Sequence, residues 1–275
     1  MWSGFAMNRN MIFIKLGGSL ITNKDMPRSP RMDIIHDLAL EVHSIKKILP
    51  DAKIILGHGS GSFGHTSAKE FKTRQGVVTN AEWLGFAEVW WQAASLNHIV
   101  VNALHQVDLP AITFPVSSSV ITRDGQLISW SLKPVKEALA KNLLPVFYGD
   151  VVFDSIRGGT ILSTEDIFSH LAVSLHPDKI LLVGIEKGVW LDYPKRTQLI
   201  PEITQNNFDQ VFPHLSGSEE TDVTGGMISK VQAMLALVEK IPHLNVQIFS
   251  GTPSENLTKV LMGKSLGTKI HSKIK

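Results

Sequence analysis

In Lys53–Ala68, KIILGHGSGSFGHTSA, a short apolar run breaks into a block of glycine and serine that closes on a histidine. The run Lys53–Leu56 is too short for a helix and nearly all apolar, which is how a strand buried on both faces of a sheet reads. Gly57, Gly59, Gly61 and Gly64 then let the backbone turn tightly and approach a ligand closely. Glycine turns at strand ends hold phosphates, but few of them end on a histidine such as His65.

Outward from this stretch the pattern repeats. Met11–Leu16, Ala111–Val116, Leu144–Tyr148, Lys179–Val183 and Val246–Phe249 are further short apolar runs. Between them lie helical periodicities. Ile34, Ile35, Leu38, Val42, Ile45 and Leu49 share one face, as do Met227, Val231, Met234, Leu235 and Val238. Residues 81–106 sustain a helical pattern for about seven turns. Strands alternating with helices predict an α/β fold, a three-layer αβα sandwich around a central, mainly parallel sheet. Asp192–Gly226 is polar and broken by prolines, so it is expected to run over the surface.

The composition narrows the function. The 275 residues, 43% hydrophobic, are ample for a large core. A net charge of +2 gives no argument for nucleic acid or an anionic membrane. The absence of cysteine excludes disulfides, thiolate catalysis and Cys-ligated metal. No apolar run reaches the roughly 18–20 residues of a membrane span, and residues 1–10 lack a signal-peptide pattern. Those ten residues are expected to be a disordered extension, and the protein is expected to be soluble and cytoplasmic.

Three glycine clusters fall at strand ends or helix starts, where open α/β sheets gather their ligands. Gly17, Gly18 and Ser19 follow the first strand, the His58–His65 block follows the second, and Gly225 and Gly226 open a helix. Each has a cationic or cationisable neighbour: Lys15 and Lys24, His65, and Lys230. Gly59, Gly61 and Gly64 match G-x-G-x-x-G formally. The match follows the second strand rather than the first, and Glu82, about twenty residues on, lies in a helical pattern, so a dinucleotide fingerprint does not fit. There is no Walker P-loop.

Taken together, KLGGSLIT with Lys24, HGSGSFGH, GDVVFD, ILSTEDI, DVTGGM with Lys230, and GTKI resemble the amino acid kinase superfamily. The histidine that ends GSFGH is similar to that of its isopentenyl phosphate kinase branch. The resemblance runs from about residue 11 to the C-terminus. Ser60 stands where many members have glycine, STED replaces a Ser-Gly-Asp-Asp pattern, and Lys187 stands where an acidic residue is common. The resemblance implies one kinase domain over 11–275, with an acceptor-binding lobe (about 11–178) and a nucleotide-binding lobe (about 179–275). It also implies a homodimer.

The implied reaction is transfer of phosphate from ATP, with Mg²⁺ on the nucleotide, to isopentenyl phosphate. Such transfer asks for alignment and charge cancellation rather than covalent chemistry. Lys15, Lys24 and Lys230 are expected to hold the nucleotide phosphates and the transferring group, with Lys24 stabilising the transition state. Gly17, Gly18, Ser19, Ser60, Gly225 and Gly226 would supply donors to ATP. Gly59, Ser60, Gly64, His65, Gly149 and Asp150 would surround the acceptor phosphate, which is already ionised and needs no general base. His65 would donate to it, while His58 is expected to bond locally. Asp166 and Asp150 would orient the lysines. Phe86 and Trp90, from a stripe that also contains Trp83, Val89 and Ala93, would line a slot for the alkyl tail. No metal ligand is assigned. The alternatives are a kinase of the same fold acting on a phosphonate, another small phosphate or an amino-acid carboxylate, or a non-catalytic nucleotide-binding regulator.

Overall fold

The computed structural model describes residues 10–214 and 226–272, less the side chains of residues 65, 66 and 214. The expected N-terminal extension, apart from Asn10, lies outside the described residues, as does Gly225. In chain order the first half runs β1 (Met11–Leu16), α1 (Gly18–Ile21), α2 (Met32–Ile48), β2 (Lys53–His58), α3 (His65–Glu70) and α4 (Asn80–Gln106). It continues with β3 (Ala111–Thr113), β4 (Val120–Arg123), β5 (Gln126–Trp130), α5 (Lys133–Ala140) and β6 (Leu144–Tyr148). Next come β7 (Asp150–Asp154), β8 (Gly158–Leu162), α6 (Thr164–Leu175), β9 (Lys179–Gly184), β10 (Val189–Trp190) and β11 (Leu199–Ile200). The chain closes with β12 (Glu202–Ile203), α7 (Gln205–Val211), α8 (Gly226–Lys240), β13 (Asn245–Ser250), α9 (Asn256–Leu261) and β14 (Thr268–His271).

The central sheet has eight strands in the order β12-β14-β13-β9-β1-β2-β6-β3. All its pairs are parallel except β13 with β14. Period-two alternation along β1 sorts side chains onto two faces. Met11 and Phe13 join a core with Ile167, Phe168 and Leu171 of α6 and Val231 and Met234 of α8. Ile12, Ile14 and Leu16 join the opposite core, with Ile35 and Val42 of α2, Leu96 and Val100 of α4 and Val260 of α9. The αβα sandwich expected from the sequence is thus present. Both cores draw on residues from either side of position 178, because the central sheet is continuous across it.

A second sheet, β5-β4-β7-β8, projects from the first half of the chain. Its tip is organised by Asp154, whose carboxylate accepts hydrogen bonds from the backbone N–H groups of Asp124, Gly125, Ile156 and Arg157. Those bonds outweigh burial and hold its carboxyl far below the ordinary range. The segment from 192 onward is not all surface excursion, since β12 pairs with β14 and extends the edge of the main sheet. Among the described residues no helix is long and apolar enough to cross a membrane.

Candidate active site

Parallel strands β9, β1 and β2 end side by side, and their carboxyl ends form the floor of a cleft of about 260 Å³. Two glycine turns meet there. Gly17 N–H donates to Val183 O at 2.7 Å and Gly59 N–H to Leu16 O at 3.0 Å, so each turn is stitched to a neighbouring strand. A Cβ on Gly18 would stand 2.4 Å from the Gly61 nitrogen, and Gly61 itself has φ +51°. The glycines serve the contact between the two turns as well as access for a ligand. Ser62 N–H donates to Thr22 Oγ1 at 2.9 Å, which ties the second turn to the end of the first.

Below the second turn His58 is wholly buried. Its Nδ1 lies 3.1 Å from Gly59 O and its Nε2 3.1 Å from Asn97 Nδ2. Burial pushes its pKa down to about 4, with the Lys15 charge adding to the effect against the Gly59 bond. The ring is therefore neutral near pH 7, donating from Nδ1 to the carbonyl and accepting at Nε2. This is the local bonding expected of His58.

Lys15, at the end of β1, is 6% exposed and reaches Glu165 Oε1 at 2.8 Å. Lys230, in the first turns of α8, stands 4.0 Å from the same oxygen. Burial alone would raise the Glu165 carboxyl, but the Lys15 and Lys230 charges overcome it and hold the group below its ordinary range. The carboxylate that meets the lysines is therefore Glu165, not Asp166. Asp166 instead closes the capping box of α6, accepting from Ser163 N–H at 2.9 Å and Ser163 Oγ at 2.7 Å. One residue of helix rotation separates the two roles, about 100° around the axis.

Of the residues the sequence singles out, Gly17, Gly18, Ser19, Lys24, Gly59, Ser60, Gly64 and Gly149 line the cleft with Lys15 and Lys230. Gly226 begins α8 just before the cleft-lining Met227. His65 occupies the first position of α3, directly after Gly64, and its side chain lies outside the described residues. Asp150 turns elsewhere: it is fully buried, and its carboxylate accepts from Val151 N–H at 2.8 Å and Ser117 N–H at 3.4 Å. Burial pushes its pKa up to about 6 against those bonds, and among the described residues no lysine is a hydrogen-bond or ion-pair partner.

The expected tail slot needs a larger correction. Phe86 packs against Trp83 and Phe153 in a satellite core, and Trp90 is 43% exposed. Neither lines the cleft. Val89 and Ala93 of the same helix do, with Ala68 and Ile161. α4 is apolar on most of its surface, so its periodicity could not select the face that meets the cleft. Arg74, Glu165 and Glu186 also line it and were not singled out in the sequence. Glu186 accepts from Trp190 Nε1 at 2.8 Å and Arg196 Nη2 at 2.9 Å, whereas its neighbour Lys187 is exposed and outside the lining. Among the described residues no group of three or more His, Cys, Asp or Glu side chains is placed to hold a metal ion.

Comparison with known proteins agrees with this geometry. Residues 10–250 match the model of the amino acid kinase family. The chain is 34% identical to isopentenyl phosphate kinase of Methanocaldococcus jannaschii over 94% of its own length and 98% of the relative's. It is 31% identical to isopentenyl phosphate kinase of Methanothermobacter thermautotrophicus, covering 96% of this chain and all of that one. A solved isopentenyl phosphate kinase structure superposes with a TM-score of 0.81 at 26% identity, over 95% of this chain and 100% of that one. Twin glycine turns, a carboxylate gripped by two lysines and these relatives together place the chain in the amino acid kinase family, on its isopentenyl phosphate kinase branch.

Proposed function

We infer that this protein transfers the γ-phosphoryl group of ATP to isopentenyl phosphate, giving isopentenyl diphosphate and ADP. One observation carries the reading. A single cleft holds a set of phosphate-binding groups (Lys15, Lys24, Lys230 and two glycine turns) beside an apolar wall of Ala68, Val89, Ala93 and Ile161. A phosphate on a short hydrocarbon tail fits both parts.

An oxygen of the acceptor phosphate attacks the γ-phosphorus as the bond from that phosphorus to the β–γ bridging oxygen breaks. Charge accumulates on the equatorial oxygens and the bridging oxygen, so preorganised cations and N–H groups do the catalytic work. Lys15 is held in place by Glu165. Lys24, exposed at the rim, is the group we assign to the transferring phosphoryl. Lys230 and the Gly17–Ser19 turn hold the nucleotide phosphates, and Gly184, Ile185, Met227 and Ile248 line the part of the cleft contributed by the second half of the chain. Gly59, Ser60, Gly64 and His65 hold the acceptor phosphate.

Mg²⁺ is expected as the counter-ion of the nucleotide phosphates, neutralising charge there when bound; the described residues offer it no cage of their own. Apart from the Gly17–Ser19 turn, the chain divides in function at about residue 178, acceptor side before and nucleotide side after. A cytoplasmic homodimer completes the proposal. It is supported by the family resemblance and by exposed Leu84 and Trp91 on the outer side of α4.

An ADP-release assay across isopentenyl phosphate, dimethylallyl phosphate, fosfomycin, glutamate and UMP tests the assignment. The highest kcat/KM should fall on isopentenyl phosphate. A preference for fosfomycin, glutamate or UMP would overturn it.

A further inference from the structure

Arg74 has a role that neither its hydrogen bonds nor its ion pair explains. It follows α3 and lines the cleft near Gly64, Ala68 and Ile161. Its backbone does structural work: Thr160 Oγ1 donates to Arg74 O at 2.9 Å and Arg157 Nη1 donates to it at 3.4 Å. Val77 N–H donates to Arg157 O at 2.7 Å, so the tip of the second sheet holds the whole segment. Any residue could supply that carbonyl, and none of these contacts uses the guanidinium.

Among the described residues the guanidinium has one ion pair, Nη2 to Asp166 Oδ2 at 3.5 Å, with the two side chains 34% and 42% exposed. A long pair that open to water adds little stability. Its other end is different. Arg74 Nη1 is buried and makes no hydrogen bond among the described residues. Glu41 Oε2 and Thr73 Oγ1 are in the same condition among the described residues, but neither belongs to a cation. A buried N–H group with no acceptor is costly, and a guanidinium can only donate, so the unbonded Nη1 points to an absent anion. Asp166, itself held by bonds from Ser163, anchors one edge of the fork, and Arg74 lines the cleft.

The geometry points to Arg74 as a binding residue for the acceptor phosphate, presented by Asp166 and placed beside the apolar wall that takes the tail. This rests on the proposed function and deepens it. The phosphate-binding groups expected from the sequence lie on glycine turns and lysines, whereas Arg74 adds a planar two-donor fork suited to a phosphate dianion. It also gives the acceptor side a permanent charge that does not depend on histidine protonation.

Steady-state kinetics of Arg74→Met and Arg74→Lys against the wild type test this. Arg74→Met should raise KM for isopentenyl phosphate by about 10- to 100-fold, the range for losing hydrogen bonds to a charged group. KM for ATP should stay within about threefold, and the melting temperature should be unchanged within about 2 °C, as expected for an exposed pair. Arg74→Lys should fall between, since it keeps the charge and loses the fork. Competitive inhibition by isopentenyl diphosphate against the acceptor should weaken in parallel. An unchanged acceptor KM in an active Arg74→Met enzyme would overturn the proposal. So would equal rises in both KM values together with a lowered melting temperature, which mark a purely structural role. A wild type inactive toward every phosphate acceptor would instead sink the proposed function, and this inference with it.

Discussion

The floor of the cleft and its rim are built in opposite ways. The floor is packed backbone and one desolvated ion pair: the turns at Gly18 and Gly61 touch, and Lys15 and Glu165 are both nearly buried. The rim is long side chains in partial contact with water, namely Lys24, Arg74 and Lys230. Desolvated charges hold geometry at a high cost if either partner is lost. Wet charges cost little and can follow a ligand. A phosphoryl-transfer site needs a fixed frame for alignment and cations that adjust as charge moves from donor to acceptor. Damage to the floor should therefore show in stability and rate together, and damage to the rim in rate alone.

The largest effect should come from the floor. Glu165→Gln leaves Lys15 charged, buried and unpaired, at a cost of about 3–5 kcal/mol. Calorimetry should show this as a melting temperature lower by roughly 10 °C, and turnover should fall too. The pH dependence has a definite sign. The Glu165 carboxyl is held below its ordinary value of 4.5, so its contribution is complete above that value and is lost as pH falls through the folded-state pKa. The wild type should lose stability on the acid side of pH 4.5 more steeply than the variant. A variant as stable as the wild type at pH 7 would erase the distinction between floor and rim.

At the rim, Lys24→Ala should lower kcat by about 10²–10³, the usual effect of removing one preorganised charge. The melting temperature and ATP binding, measured by calorimetry, should not move, because the Lys24 side chain is exposed. A matching fall in stability would make Lys24 part of the floor.

The smallest effect concerns the apolar wall. Val89→Ala should shift the preference between five-carbon and longer alkyl phosphates by about tenfold in kcat/KM, the scale of a methylene or two in a hydrophobic pocket. Trp90→Ala, next to it but outside the lining, should leave that ratio within twofold. Equal shifts in both would move the tail slot onto the exposed side of α4.

The sequence was most legible where structure is local. β1, β6 and the main helices follow from short apolar runs and from 3.6-residue periodicity, and the glycine turns and lysines from their place after strands. The second sheet was not legible. β4 and β7 pair across about thirty residues, and their short alternating strands carry no local mark of the partner. Glu165 and Asp166 show the same limit within the site. Both are acids in the first turn of α6, and which one meets the lysines depends on how the Ser163 capping box sets the helix against β1. Asp150 resembled a charge beside the site, but a long-range contact with the Ser117 loop takes it away.

The Asp154 turn has a consequence for exchange with solvent. Tips of projecting hairpins ordinarily open easily, and their amide protons exchange fast. Here one carboxylate holds four amides of a tip, those of Asp124, Gly125, Ile156 and Arg157. Because the four bonds share one side chain, a movement of Asp154 releases all four protons, and the tip is expected to open as one unit. The same unit carries Arg157, which anchors the carbonyl of Arg74. Slow deuterium uptake at this remote tip and a steady position of a cation in the cleft are then two readings of one knot of hydrogen bonds.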